Sequence, residues 1–112
     1  MYPLPDRAHD LAEQPLPLIE EAAGLYFRSL LLKKSGEIVP QHAHDHRHAT
    51  LVGSGMARGW AAGTWIGDTG PGQAFEIEVG AEHVFQALAP NTLLICAHDI
   101  ASADSLEKKG MR

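Results

Sequence analysis

From Gly24 to Asp99 the chain is written in short runs of strand-forming residues, each soon broken by glycine or by polar turn residues. Punctuation this dense leaves no stretch for a helix with its 3.6-residue period, so the chain is driven into sheet. The runs are Leu25–Lys33, Glu37–His44, Ala49–Val52, Met56–Trp65, Ala74–Val79, His83–Leu88 and Thr92–His98. Ser35-Gly36, Gly53-Ser54-Gly55, the Gly67–Gly72 segment and Pro90-Asn91 supply the turns. Many short strands at close spacing predict an all-β chain, an antiparallel sandwich or small barrel. Residues 1–23 carry four prolines by Leu18 and no sustained period, and they read as an extended N-terminal arm with one turn of helix over Leu18–Ala23. The barrel itself is expected over 24–101, and the charged stretch 102–112 reads as a tail, either a short helix or disordered.

At 112 residues this is one domain with one core. The single cysteine, Cys96, has no intramolecular partner for a disulfide, which excludes a secreted disulfide scaffold and points to the cytoplasm. Within the run that contains it, Cys96 reads as a small buried hydrophobe. No segment approaches the roughly 18 apolar residues of a membrane span. The opening MYPLPDRAHD lacks the basic and apolar regions of a signal peptide, so no cleaved leader is expected. Nine basic residues, scattered among fourteen acidic ones, give a net charge of −5 and no footprint for nucleic acid.

The compositional excess is histidine: seven in all, four of them at 42, 44, 46 and 48. On an uninterrupted strand these four share one face. At about 3.3 Å per residue His42 and His44 can share one ion, whereas His44 and His48 would stand about 13 Å apart. The chain must therefore turn, and the polar Asp45-His46-Arg47 is the natural place. That turn returns His48 to the same ion and leaves His46 in solvent. Candidates for a further ligand are His83, which follows the turn Gly80-Ala81-Glu82, together with His98 and His9. Glu82 reads as an ordinary solvated turn residue.

The spacing around these histidines resembles the cupin superfamily. Its first motif runs glycine, five residues, His-x-His, three or four residues, glutamate, six residues, glycine. Here Gly36, EIVPQ, His42-Ala43-His44, DHR, His48, ATLVGS and Gly55 follow it, with His48 in the glutamate position. The second motif runs glycine, five residues, Pro-x-Gly, two residues, histidine, three residues, asparagine. Gly72, QAFEI, Glu78-Val79-Gly80, Ala81-Glu82, His83, VFQ and Ala87 keep that spacing, with Glu78 for proline and Ala87 for asparagine. The resemblance covers roughly Leu25 to Asp99 and implies a cupin-type β-barrel, or jelly roll, in which His42, His44, His48 and His83 hold one divalent metal ion. Four neutral imidazoles leave the ion's charge at +2, where a glutamate would lower it to +1. The set suits Fe, Ni, Cu, Co or Zn better than Mg, Ca or Mn.

Such a centre attracts an anionic oxygen ligand. With the resemblance, this implies a metal-dependent dioxygenase acting on a small enol, diketone or aromatic hydroxy compound. The alternative is a non-catalytic binding or accessory protein braced by a structural metal. Candidate pocket residues are Arg58, Trp60, Phe75, Phe85, Gln86 and His98, since positions like those of Arg58, Trp60 and Trp65 can face a cupin interior. The partners expected are a small-molecule ligand of anionic character and a second copy of the chain. A homodimer would use the arm's Leu4, Leu11, Leu16 and Leu18.

Overall fold

A computed structural model of the chain describes residues 2–5, 17–42 and 48–100, the side chains of 40–42 excepted. Its nine strands are β1 (Leu18–Ala22), β2 (Leu25–Leu32), β3 (Ile38–His42), β4 (His48–Ser54), β5 (Ala57–Ala61), β6 (Thr64–Thr69), β7 (Ala74–Ile77), β8 (His83–Ala87) and β9 (Thr92–Asp99). They form a five-stranded sheet, order β1-β2-β9-β4-β7, and a four-stranded sheet, order β3-β8-β5-β6. Every pairing is antiparallel.

Strand alternation decides what goes inside. On the inner face of the larger sheet, register stacks residues in rows: Leu32 opposite Thr92, then Leu30, Leu94 and Val52, then Arg28, Cys96, Thr50 and Phe75. Leu30, Leu32, Val52, Leu94 and Phe75 meet Val39, Ala57, Phe85 and Ala87 of the smaller sheet in one apolar core. Burying a side chain such as Phe85 contributes roughly 1.5–3 kcal/mol. Strand β8 is buried on both sides, because Val84 faces outward into a second cluster with Ile38, Trp60 and Trp65.

Three expectations change. The turn of helix expected over Leu18–Ala23 is strand β1 and the start of a two-residue hairpin turn, so the sheet begins at Leu18 rather than Gly24. The run Met56–Trp65 is two strands, folded back at Ala62-Gly63. Both two-residue turns, Ala23-Gly24 and Ala62-Gly63, hold both residues at positive φ (52° and 77°, 50° and 79°), as a type I′ hairpin requires. Gly67 to Thr69, expected as turn, belong to β6. Most of the arm, 6–16, and the tail 102–112 lie outside the described residues.

Gly55, the last residue of the first histidine motif, has φ +76°, and a Cβ there would stand 2.3 Å from Thr92 Oγ1 and 2.7 Å from Thr92 Cα. Only glycine fits the approach of this turn to the start of β9.

Candidate metal centre

His48 opens β4 and His83 opens β8, so the two come from opposite sheets and enter the same end of the barrel. Each shares parity with core residues of its strand, Thr50 and Val52 in one case, Phe85 and Ala87 in the other, and therefore points inward. Their ring centroids are 5.0 Å apart with the planes at 58°. Both residues are nearly sealed, at 6% and 5% exposure, and both ring nitrogens of His48 are withdrawn from solvent. His83 packs on Phe85 at 5.3 Å and Phe85 on Phe75 at 5.0 Å, so Phe75 and Phe85 form an aromatic floor between the histidines and the aliphatic core. His83 Nδ1 lies 3.5 Å from the Ala81 carbonyl, which only accepts; the Nδ1–H donates a long bond and leaves Nε2 with the lone pair.

In β3 a bulge between Val39 and His42 sets the backbone of His42 directly opposite His83. The side chain of His42, and the whole of His44, His46 and His9, lie outside the described residues. Among the described residues no group of three or more His, Cys, Asp or Glu stands close enough to hold an ion, and the described part of the constellation is the pair His48 and His83. Ring nitrogens bind transition metals at about 2.0–2.1 Å, and two imidazoles sharing one ion place their centroids about as far apart as these do. Two inward imidazoles from opposing sheets, with a third histidine strand-paired to one of them, fit a divalent metal.

Five further residues, His98, Tyr26, Cys96, Thr50 and Arg28, line the same inner face. His98 stands one step beyond the Ala49–Ala97 pair, on the strand next to His48. Its ring stacks on Tyr26 at 4.8 Å and 22°, and its Nδ1–H donates to the Asp99 carbonyl at 3.0 Å. Behind this row lies Cys96, whose Sγ is 3.5 Å from Thr50 Oγ1. Burial pushes the Cys96 thiol up, against the opposing pull of the Thr50 hydroxyl and the Arg28 charge, so it stays protonated at neutral pH. Tyr26, Arg28 and Thr50 were not singled out from sequence. Their signal was their alternation with Leu30 and Leu32 in β2, and with Val52 in β4.

Arg58, Trp60 and Gln86 are not brought to this site; they lie on the outer face of the smaller sheet. The reason is alternation: Gly59 and Phe85, their neighbours in sequence and partners in register, face inward. A Cβ on Gly59 would lie 2.7 Å from the Phe75 ring. Outside, Arg58 donates twice to Asp68 at 2.8 Å and lies 3.3 Å above the Tyr2 ring. Trp60 Nε1 donates to the Tyr2 carbonyl at 2.8 Å, and Trp65 meets the Tyr2 ring edge-on at 5.1 Å. Gln86 Nε2 donates to the Gly36 carbonyl at 3.3 Å. The Arg58 guanidinium holds the Asp68 carboxyl below its usual range, and Asp68 in turn raises Arg58.

Two packed antiparallel sheets, with inward histidines from both at one end of the barrel, make this the cupin fold. No family model matches the sequence, and no curated protein does. Solved structures do. The cupin 2 domain-containing protein of Halorhodospira halophila superposes with a TM-score of 0.63 at 21% identity, over 80% of this chain and 64% of that one. KdgF from a Halomonas species gives 0.62 at 23%, over 72% and 74%. The oxalate decarboxylase of Bacillus subtilis, a protein with Mn(II) centres, gives 0.57 at 22%, over 74% of this chain but 27% of that one. At these identities the likeness speaks for the fold.

Proposed function

We propose that this chain is a metal-binding cupin whose ion is held by His48 and His83 together with His42 and His44, and that it acts on a small anionic molecule at the histidine end of the barrel. The observation that carries the reading is the meeting of His48 and His83, ring against ring at 5.0 Å, from opposite sheets. When bound, the divalent ion supplies a Lewis acid able to take an enolate, catecholate or carboxylate and, as iron, nickel or copper, a partner for dioxygen. The chain's own residues do the rest. The Ala81 carbonyl fixes the orientation of His83, and the Phe75–Phe85 floor keeps water from the aliphatic core. A dioxygenase acting on a small enol, diketone or aromatic hydroxy compound is the finer reading. The Mn(II) centres of the oxalate decarboxylase support metal binding in this fold.

The test is elemental analysis of the purified protein and of His48→Ala and His83→Ala, followed by oxygen consumption on enols, diketones and catechols. The reading expects one ion per chain, lost in both variants. Full occupancy in the His83 variant refutes the ligand set, and four-coordinate zinc without oxygen uptake favours a structural metal.

The reading extends to assembly and place. Leu31 and Leu51 are exposed on the outer face of the larger sheet, and Leu18 on its edge strand; they support a homodimer, to be measured by light scattering. The thiol of Cys96 suits a reducing cytoplasm. Among the described residues no helix is long and apolar enough to cross a membrane.

A further inference from the structure

We propose that Arg28 anchors the carboxylate of a small acid inside the barrel, with the rest of the ligand lying toward His48 and His83. The inference rests on the reading of this end of the barrel as the binding site. It names the residue that selects the substrate class.

Placement comes first. Arg28 lies on β2 between Tyr26 and Leu30, both buried, and it shares their inward parity. Its register partner is Cys96, and beyond Cys96 stands Thr50. The inner face of the larger sheet thus changes character along the barrel. Leu30, Leu94 and Val52 form an aliphatic row, Arg28, Cys96, Thr50 and Phe75 the next, and Tyr26, His98 and His48 the last. Arg28 occupies the level between core and histidines. Two strand spacings and two residues separate its Cα from that of His48, about 12 Å. An extended arginine covers about half of that span, and a molecule of a few carbon atoms fills the remainder.

Chemistry comes second. The guanidinium carries five donors, and on a half-buried side chain with no buried donor left unmet among the described residues that fork is open to solvent and to a ligand. Arg58 on the outer face has its acceptor, Asp68, in a bidentate bond under the Tyr2 ring. Among the described residues Arg28 makes no ion pair. What its charge meets is the Cys96 thiol, which burial keeps neutral. Around it Tyr26, Thr50 and Cys96 bring hydroxyl and thiol groups, and the one carboxylate among the described residues facing the same way is Glu21 of the exposed edge strand β1, opposite Tyr26 and diagonal to Arg28, with no ion pair between them. The inner face of the larger sheet thus presents an arginine whose charge no ion pair with a described residue takes up. A planar fork of donors at this distance from His48 and His83 matches a carboxylate, which it grips through two parallel bonds.

The experiment is calorimetric titration with malonate and succinate, against their neutral diamides, on the parent, Arg28→Gln and Arg28→Lys. Each protein is titrated both metal-free and metal-loaded, with thermal melts to verify folding. The parent should take a diacid and not its diamide. Arg28→Gln should weaken the diacid by about tenfold or more. Arg28→Lys, with the charge but not the fork, should fall between, and it keeps the test alive if the glutamine variant does not fold. Equal binding by parent and Arg28→Gln overturns the inference, as does a parent that binds neither diacid or does not distinguish diacid from diamide. The two readings fail separately. An Arg28-dependent preference in a protein that takes up no metal upholds the anchor and removes the metal, whereas metal uptake with Arg28-independent binding does the reverse.

Discussion

Replacing Gly55 by alanine should be among the most damaging single-methyl additions this barrel can receive. The new Cβ would stand 2.3 Å from Thr92 Oγ1 and 2.7 Å from Thr92 Cα, inside any real contact distance, and one of those atoms is backbone. Relief requires the turn after β4 to move away from the start of β9. Overpacking of this kind costs about 1–3 kcal/mol. Holding alanine at the φ of +76° adds about 1–2 kcal/mol. Thr92 is also bound to its surroundings. Its hydroxyl donates to the Ala89 carbonyl at 2.8 Å and accepts from the Met56 N–H at 3.3 Å, and displacing it strains bonds worth about 1 kcal/mol each. The expected loss is about 3–5 kcal/mol, a large share of a small domain's stability. The control is Gly63→Ala, where φ is +79° but nothing lies within 4 Å of the added methyl. Backbone strain alone should cost that variant about 1–2 kcal/mol. Urea unfolding of both, read by circular dichroism at matched slope, separates the terms. Losses equal within about 1 kcal/mol would refute the steric argument and leave φ as the whole effect.

The His48→Glu variant should keep its metal to lower pH than the parent, because a ligand with a pKa near 4.3 replaces one near 6.5 and meets less competition from protons. It should also shift preference toward Mn(II), and superimposable release curves would mean that His48 is not a ligand. Ala62→Asn puts a residue that tolerates positive φ into a type I′ turn and should stabilise by about 0.5–1 kcal/mol in the same urea assay; a destabilised variant would contradict the turn. Asp68, held low by Arg58, contributes stability that is complete above the unfolded carboxyl's pKa of about 3.9 and is lost as pH falls through its lowered folded value. Asp68→Asn should therefore be less stable than the parent at pH 7, with the two converging toward pH 2; a constant gap would show that the charge is not involved.

Most strands were legible because glycine and polar pairs mark where they stop. The boundaries that escaped share a cause. Ala23-Gly24 and Ala62-Gly63 are type I′ turns whose first residue carries a Cβ at positive φ, a place where asparagine or glycine is the usual signal. Strand β1 escaped because LIEEA is exposed at every position and has no alternation to read; pairing with β2 holds it. For the site, the spacing of His48 and His83 carried the information, since two distant histidines in phase with their turns are hard to place by chance. The side assignment of Arg58, Trp60 and Gln86 was not legible. A strand buried on both faces, as β8 is, gives no hydrophobic contrast between inside and outside, and the bulge between Gly59 and Trp60 shifts the count of β5 against β6. Arg28 and Tyr26 were readable in principle from their alternation with Leu30 and Leu32.

Tyr2, pinned by its own carbonyl to Trp60 and roofed by Arg58, has a practical consequence for anyone handling this protein. The strand that carries Trp60 pairs directly with the strand that delivers His83, in the sheet on whose outer face Tyr2 lies. Displacing Tyr2 would open a tryptophan that is otherwise nearly sealed, and that tryptophan packs on Val84, the chain neighbour of His83. Metal or ligand measurements on any variant near Tyr2 therefore call for a check, by tryptophan fluorescence, that this contact is intact.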